Sequence, residues 1–293
     1  MVSNERGLFR ETKNSKYLPN IFLSIILTLI FIIVGEIIGS LFSFGFIKFI
    51  KSQAVLFLIE LVFSGVFTII LILLWVRFVE GLKVSSLGIK KDRCLKKYFI
   101  GFLIGFLMFS LVILILFLTG NIALNSKPNY VVGVAALSSV LIVLPGWAVQ
   151  SATEEILTRG WLMNVIGARY NAALGLFVSS ILFGLFHLFN NEISLLAIIN
   201  ICLVGIFFGL YVIKTEDLLG ACGIHCAWNF VQGNVFGLEV SGNEINIGSI
   251  MDLNLKGNEL FTGGQFGPEA GIATTIVLFI GIIILLLNIK KNK

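Results

Sequence analysis

The sequence contains only two histidines, His187 and His225, and both fall inside apolar runs. A third apolar run is interrupted by Glu154-Glu155-Ile156-Leu157-Thr158-Arg159. A charge in a membrane-spanning segment costs at least ~2.5–3.5 kcal/mol on insertion scales, so it needs a reason. Glu155 and Arg159 stand at i and i+4 with the acid first, the favourable order for a helical ion pair, and each neutralises the other. Glu154 lies about 100° round the same helix and has no such partner. Each histidine has a companion at helical spacing: Phe183 precedes His187 by four, and Asn229 follows His225 by four. Two histidines and an unpaired glutamate, held away from bulk water, can activate a water molecule for hydrolysis.

Two chemistries fit these residue types. In one, Glu154, His187 and His225 bind zinc, which acidifies the water. In the other no metal is used: Glu154 is the general base, and the histidines with Asn229 stabilise the oxyanion. The His-Glu-x-x-His helical pair of many zinc proteases is absent. No Ser or Cys nucleophile has a base arranged beside it by spacing. Cys222 and Cys226 flank His225, and small buried side chains are the favoured reading of them over metal ligation.

Spacing also predicts how these residues meet. If the helix carrying Glu154 turns back near residues 170–171, Glu154 lies 16 or 17 residues before the turn and His187 as many after it. At about 1.5 Å per residue the two share one depth. His225 joins them if the bundle folds back.

The elements that position these groups must cross a membrane. Of 293 residues, 57% are apolar, including 27 Phe, only 13% are charged, and the mean hydropathy is +1.01. Soluble domains carry roughly 25% charged residues. The net charge of +5 sits in short clusters between apolar runs, which excludes a nucleic-acid-binding surface. Eight spans are predicted, at about 19–47, 54–76, 99–119, 133–153, 171–190, 193–213, 218–238 and 271–289. The fold class is therefore an all-α, polytopic membrane helix bundle of about eight transmembrane helices. A polar tail at 1–17 precedes a single membrane-embedded domain at 18–293. The first apolar run is too long for a signal-peptide core and reads as a signal anchor.

Seventeen Lys and Arg residues fall in the segments that are inside when the N-terminus is cytoplasmic, against four outside (Lys48, Lys51, Lys127 and Lys256). That asymmetry predicts N-in and C-in in a cell membrane. Glu36 and Glu60, toward the outer side of their spans, are expected to pair with Lys48, Lys51 or polar groups of the bundle. Gly101-x-x-x-Gly105 and Gly205-x-x-x-Gly209 offer small faces for helix packing. Trp147, Trp161 and Trp228 are read as core or cavity lining. The acidic, Gly- and Asn-rich loop at 239–269 is expected to be a linker rather than a lid. Pro268-Glu269 is expected to open the last helix.

Three motifs together resemble the CPBP family (CAAX protease and bacteriocin-processing, or Abi) of intramembrane proteases. They are Glu154-Glu155-x-x-x-Arg159, Phe183-x-x-x-His187 and His225-x-x-x-Asn229, over a core at about 134–235. The segment from Thr262 to Glu269 also looks like one found in bacterial members. The resemblance implies an endopeptidase, metalloprotease or glutamate-type, acting on a membrane-associated peptide or protein. Eukaryotic relatives act on prenylated CAAX proteins; bacterial ones are linked to leader-peptide processing and bacteriocin self-immunity. By position it makes Glu154 the water-activating residue, Glu155 and Arg159 its companions, and His187, His225 and Asn229 the other polar site residues. The alternative is a non-proteolytic membrane scaffold or immunity protein that uses the same pocket for binding. The Ile-, Lys- and Asn-rich composition points to a bacterial source.

Overall fold

The computed structural model describes residues 7–291. Arg6 and Lys293, which contribute to the charge asymmetry, and the first six residues of the expected tail lie outside the described residues. From Gly7 the tail is not loose: α1 (Gly7–Lys13) buries Leu8 and Phe9, and Phe9 lies against Gly167. Two long apolar helices follow, α2 (Ile21–Ile47) and α3 (Gln53–Leu74), the latter prolonged by a π turn at Trp75–Val79. Asn20 caps α2 by accepting a hydrogen bond from the Leu23 amide at 2.9 Å.

Next come α4 (Cys94–Leu118), a short strand β1 (Ile122–Leu124) and α5 (Leu137–Glu155). α5 runs on through a π turn at Ile156–Leu162 into α6 (Met163–Arg169). The chain then reverses at Tyr170–Asn171, the turn predicted from spacing, with Asn171 capping α7 (Ala172–Phe186). The bundle is completed by α8 (Leu195–Thr215), by α9 (Leu219–Phe230) with its π turn at Val231–Val235, and, after β2 (Leu253–Leu255) and α10 (Glu259–Thr262), by α11 (Ile272–Lys291). β1 and β2 pair antiparallel, with Ile122 opposite Leu255.

Among the described residues, six helical stretches are long and apolar enough to cross a membrane: 21–47, 53–79, 94–118, 133–169, 195–215 and 272–290. The predicted fifth and seventh spans are shorter than expected. α7 has 15 residues and α9 has 12 before its five-residue π turn. α7 ends where His187 leaves the helix, and α9 with its π turn ends at Val235. The fourth, by contrast, continues to Arg169.

Small residues bring the helices into backbone contact, as in other membrane bundles. A methyl group on Gly35 or Gly39 of α2 would strike Thr68 or the Phe63 carbonyl of α3. One on Gly101 or Gly105 of α4 would strike the carbonyls of Gly220 or Ile224 on α9. Gly205 of α8 gives room to Ser180 and to the Arg159 guanidinium. Both small-residue stripes seen in the sequence thus serve packing inside the bundle.

The expected pairing of Glu36 and Glu60 with lysine does not form. Lys48 lies twelve residues beyond Glu36, about 18 Å along a helix, and its ammonium sits 5.1 Å above the Phe44 ring. Glu60 and Lys51 are separated by nine residues, or about 13 Å. The expected start of the last helix also differs. Pro268–Ala270 form a separate 3-10 turn, and the extended backbone of Gly271 (φ −99°, ψ 159°) separates it from α11, while the Glu269 carboxylate is engaged by Ser241.

At the end of the bundle that carries the basic loops, Glu80 is almost fully buried, and its Oε1 accepts hydrogen bonds from the indoles of Trp75 (3.1 Å) and Trp161 (2.7 Å). Burial pushes the Glu80 carboxyl above its ordinary range, against the pull of the two indole donors. The folded state therefore binds this proton more tightly than the unfolded chain. The stabilisation is present below the unfolded value and is lost as pH rises through the folded one. Glu80→Gln is expected to raise the melting temperature at neutral pH and to flatten its dependence on pH. Melting curves of both proteins in detergent across the acidic-to-neutral range check this; parallel profiles would refute it.

Candidate active site

The continuous helix formed by α5, its π turn and α6 provides the centre of the site. π turns recur at functional positions because they break the regular hydrogen-bond ladder. Glu155 and Arg159 are fully buried at 0% exposure. Arg159 Nη1 donates to Glu155 Oε1 at 2.9 Å and to Thr158 Oγ1 at 2.7 Å. Its guanidinium carbon lies 4.1 Å from the Phe183 ring centre and 5.5 Å from that of Phe208. Ion pairing and two aromatic faces replace the water that this cation has lost.

Glu155 Oε1 also accepts from His225 Nδ1 at 3.0 Å. A carboxylate can only accept, so Nδ1 carries the proton, and Nε2 is the nitrogen left for chemistry. That nitrogen lies 3.8 Å from Glu154 Oε2, too far for a direct hydrogen bond. Glu154 is the accessible carboxylate of the pair, with 32% of its side chain exposed. Its Oε1 accepts from Gln150 Nε2 at 2.6 Å, whereas Oε2 is buried with no partner. Asn229 Nδ2 donates to Gln150 Oε1 at 3.1 Å. One polar chain therefore runs from Asn229 through Gln150 to Glu154, and a second from His225 through Glu155 to Arg159. They face each other across the 3.8 Å gap. Glu36 of α2 lies within electrostatic reach of Glu154.

His187 stands apart. It is the first residue beyond α7, and its Nδ1 donates to the Phe183 carbonyl at 2.8 Å. No hydrogen bond or ion pair joins it to Glu154. Its ring meets Phe183 edge-on, with centroids 5.0 Å apart, and Phe183 in turn meets His225 at 6.1 Å. The structure thus joins Glu154, Glu155, Arg159, His225 and Asn229 directly or through Gln150, and leaves His187 one aromatic ring away.

The expected linker is a packed roof. Leu238, Val240, Ile245, Leu253, Phe266 and Ala270 are buried. Phe266 belongs to the same apolar cluster as Phe183. The Trp147 indole donates to Asn234 Oδ1 at 2.7 Å, beneath this roof. Burial pushes the Glu269 carboxyl up, opposed by its hydrogen bonds from Ser241 and by the nearby His187.

Among the described residues, no three His, Cys, Asp or Glu side chains are gathered so as to hold a metal ion. Glu154 and His225 approach each other without His187, so the set expected for zinc does not fit a metal in this arrangement. Cys222 and Cys226 are buried free thiols.

Three participants escaped the sequence reading. Gln150 had a signal, being a polar residue four before Glu154 in an apolar run. Phe208 had none, because an aromatic ring in an apolar helix looks like any other. Glu269 had been assigned to the dipole of the last helix.

Residues 135–231 match the family model described as Rce1-like, type II CAAX prenyl endopeptidase Rce1-like. No curated protein and no solved structure gives a significant match. The matched stretch contains all six residues singled out by type and spacing. It supports a peptidase of the CAAX-protease type in a multi-pass membrane protein. The likeness to Rce1-like peptidases is confined to residues 135–231 of this chain and is consistent with a CPBP family intramembrane protease.

Proposed function

We propose that the site hydrolyses a peptide bond in a membrane-associated peptide or protein, with Glu154 as the general base. The observation that carries this reading is the unpartnered Glu154 Oε2, which faces His225 Nε2 across 3.8 Å. A water in that gap gives a proton to Glu154 as its oxygen attacks the scissile carbonyl carbon. The carbonyl oxygen becomes an oxyanion, to which a doubly protonated His225 donates from Nε2 and Asn229 from its amide. Glu154 then passes its proton to the departing amine, and the carbon–nitrogen bond breaks.

Charge supports this assignment. Arg159 and protonated His225 balance Glu155 and Glu154, so the buried set is neutral before the oxyanion forms. Glu155 holds the His225 ring in the orientation that aims Nε2 at the gap. Its pairing with Arg159 gives this orienting carboxylate a buried counter-ion in place of water.

The test is incubation of the purified, detergent-solubilised protein with a panel of membrane-associated peptides, with and without a strong chelator, with products read by mass spectrometry. Cleavage that survives the chelator is expected. Loss of cleavage restored by zinc would overturn the metal-free route while leaving the peptidase. Tight peptide binding without any product would replace the peptidase with a binding protein.

A further inference from the structure

Glu36 is the single charged residue in the 27 residues of α2, and it is exposed. Among the described residues it takes part in no hydrogen bond or ion pair. An ionisable residue inside an apolar span marks a functional position by default, and its partner has to be named. Packing places Glu36 level with the carboxylate assigned to catalysis. Gly35 of α2 lies against Thr68 of α3, and Gly39 against Phe63, so these two helices run antiparallel. Gly146 and Thr153 of α5 lie against Leu61 and Gly65 of α3, so α3 and α5 run parallel. At about 1.5 Å per residue along the three helices, Glu36 and Glu154 come within about 2 Å of one height. The Phe31 and Trp161 rings meet edge-on at 5.2 Å and tie α2 to the π turn that follows Glu155.

The flank of α2 that carries Glu36 is polar beyond it. Ser40 and Ser43 follow at i+4 and i+7, about 100° round from the Gly35 contact with α3. Ser40 is exposed and Ser43 half-buried. A polar stripe thus runs from the height of Glu154 toward the end of an otherwise apolar helix. Charge gives the sign of what it takes. Arg159 and protonated His225 already balance Glu155 and Glu154, so Glu36 is one negative charge in excess. Lys48, on the same helix end, is turned to the Phe44 ring.

We propose that Glu36 determines substrate specificity by binding a cationic side chain, lysine or arginine, beside the scissile bond. The carboxylate accepts hydrogen bonds from the ammonium or guanidinium, and the Ser40 hydroxyl one turn further on can accept another. Away from bulk water such a pair is stronger than on a wet surface, and a neutral side chain leaves Glu36 unpaired. The inference rests on the peptidase reading for its effect on cleavage.

The test uses the full-length protein in detergent and one peptide cleaved by the wild type, remade with lysine, norleucine or glutamate at each position flanking the scissile bond. At one position lysine is expected to raise kcat/KM about 10–100-fold over norleucine, the range of a hydrogen bond to a charged group. In Glu36→Gln this ratio is expected to fall to near one. In Glu36→Lys, glutamate is expected to become the preferred residue at the same position. A merely architectural Glu36 would lower cleavage of all three peptides together and keep their ratios. A wild type indifferent to lysine at every position, or a lysine preference that survives in Glu36→Gln, overturns the proposal. Failure of the wild type to cleave any peptide would strike the peptidase reading, and binding then decides this one. Lysine-bearing peptides should bind Glu154→Gln more tightly than their norleucine counterparts, and Glu36→Gln/Glu154→Gln should lack that preference; equal binding of both peptides to Glu154→Gln overturns the proposal.

Discussion

Glu154→Gln is expected to reduce peptide cleavage by at least about 10²-fold, the low end of what a positioned general base contributes. Glutamine keeps the size of the side chain and can still accept from Gln150, which holds Glu154 Oε1 at 2.6 Å. It cannot take a proton from water. The melting temperature and peptide affinity should therefore stay close to those of the wild type, and the loss should fall on kcat. Single-turnover cleavage measured beside peptide binding separates these quantities. Full activity in Glu154→Gln would remove Glu154 from the chemistry. A collapse of stability would make the polar chain structural.

Arg159→Gln should have the largest effect on stability. Arg159 is wholly buried and supplies the ion-pair partner of an equally buried Glu155. Removing one member of a buried pair typically costs about 3–5 kcal/mol, because the other charge is left uncompensated. The effect should also reach catalysis. Glu155 would lose the partner that fixes its carboxylate, and with it the fixed anchor for His225 Nδ1. The double variant Glu155→Gln/Arg159→Gln leaves no unpaired charge and is expected to regain a large part of the lost stability while remaining inactive. Thermal or denaturant unfolding of the two single variants and the double variant in detergent gives the coupling between them. If the double variant were as unstable as the sum of the singles, the pair would not be acting as one unit.

The chemistry that rests on neighbours along one helix could be read from the sequence. The Glu155–Arg159 bond follows from i,i+4 spacing, and the reversal at Tyr170–Asn171 follows from a polar cap between two apolar runs. Composition required a membrane, and the spacing of the small residues indicated where helices touch. The depth argument for Glu154 and His187 shows the limit of such reasoning. A rise per residue gives height along a helix but not which way a side chain faces, and His187 bonds to its own helix end rather than to Glu154.

The tertiary structure alone decided which carboxylate orients His225. The sequence offers Glu154 and Glu155 side by side, about 100° apart on the helix. The close approach of Gly105 to the α9 backbone sets how α9 is placed, and Glu155 is the one within hydrogen-bond reach of His225. The roof belongs to the same class. Ser241, Glu269 and Asn190 lie tens of residues apart in a segment without helical or strand periodicity, so no pattern announces their contact. The sequence by itself determined the solvent, the helices and the residue types able to do the chemistry. Folding determined the partners, because hydrogen bonds between distant segments depend on packing geometry that local spacing does not encode.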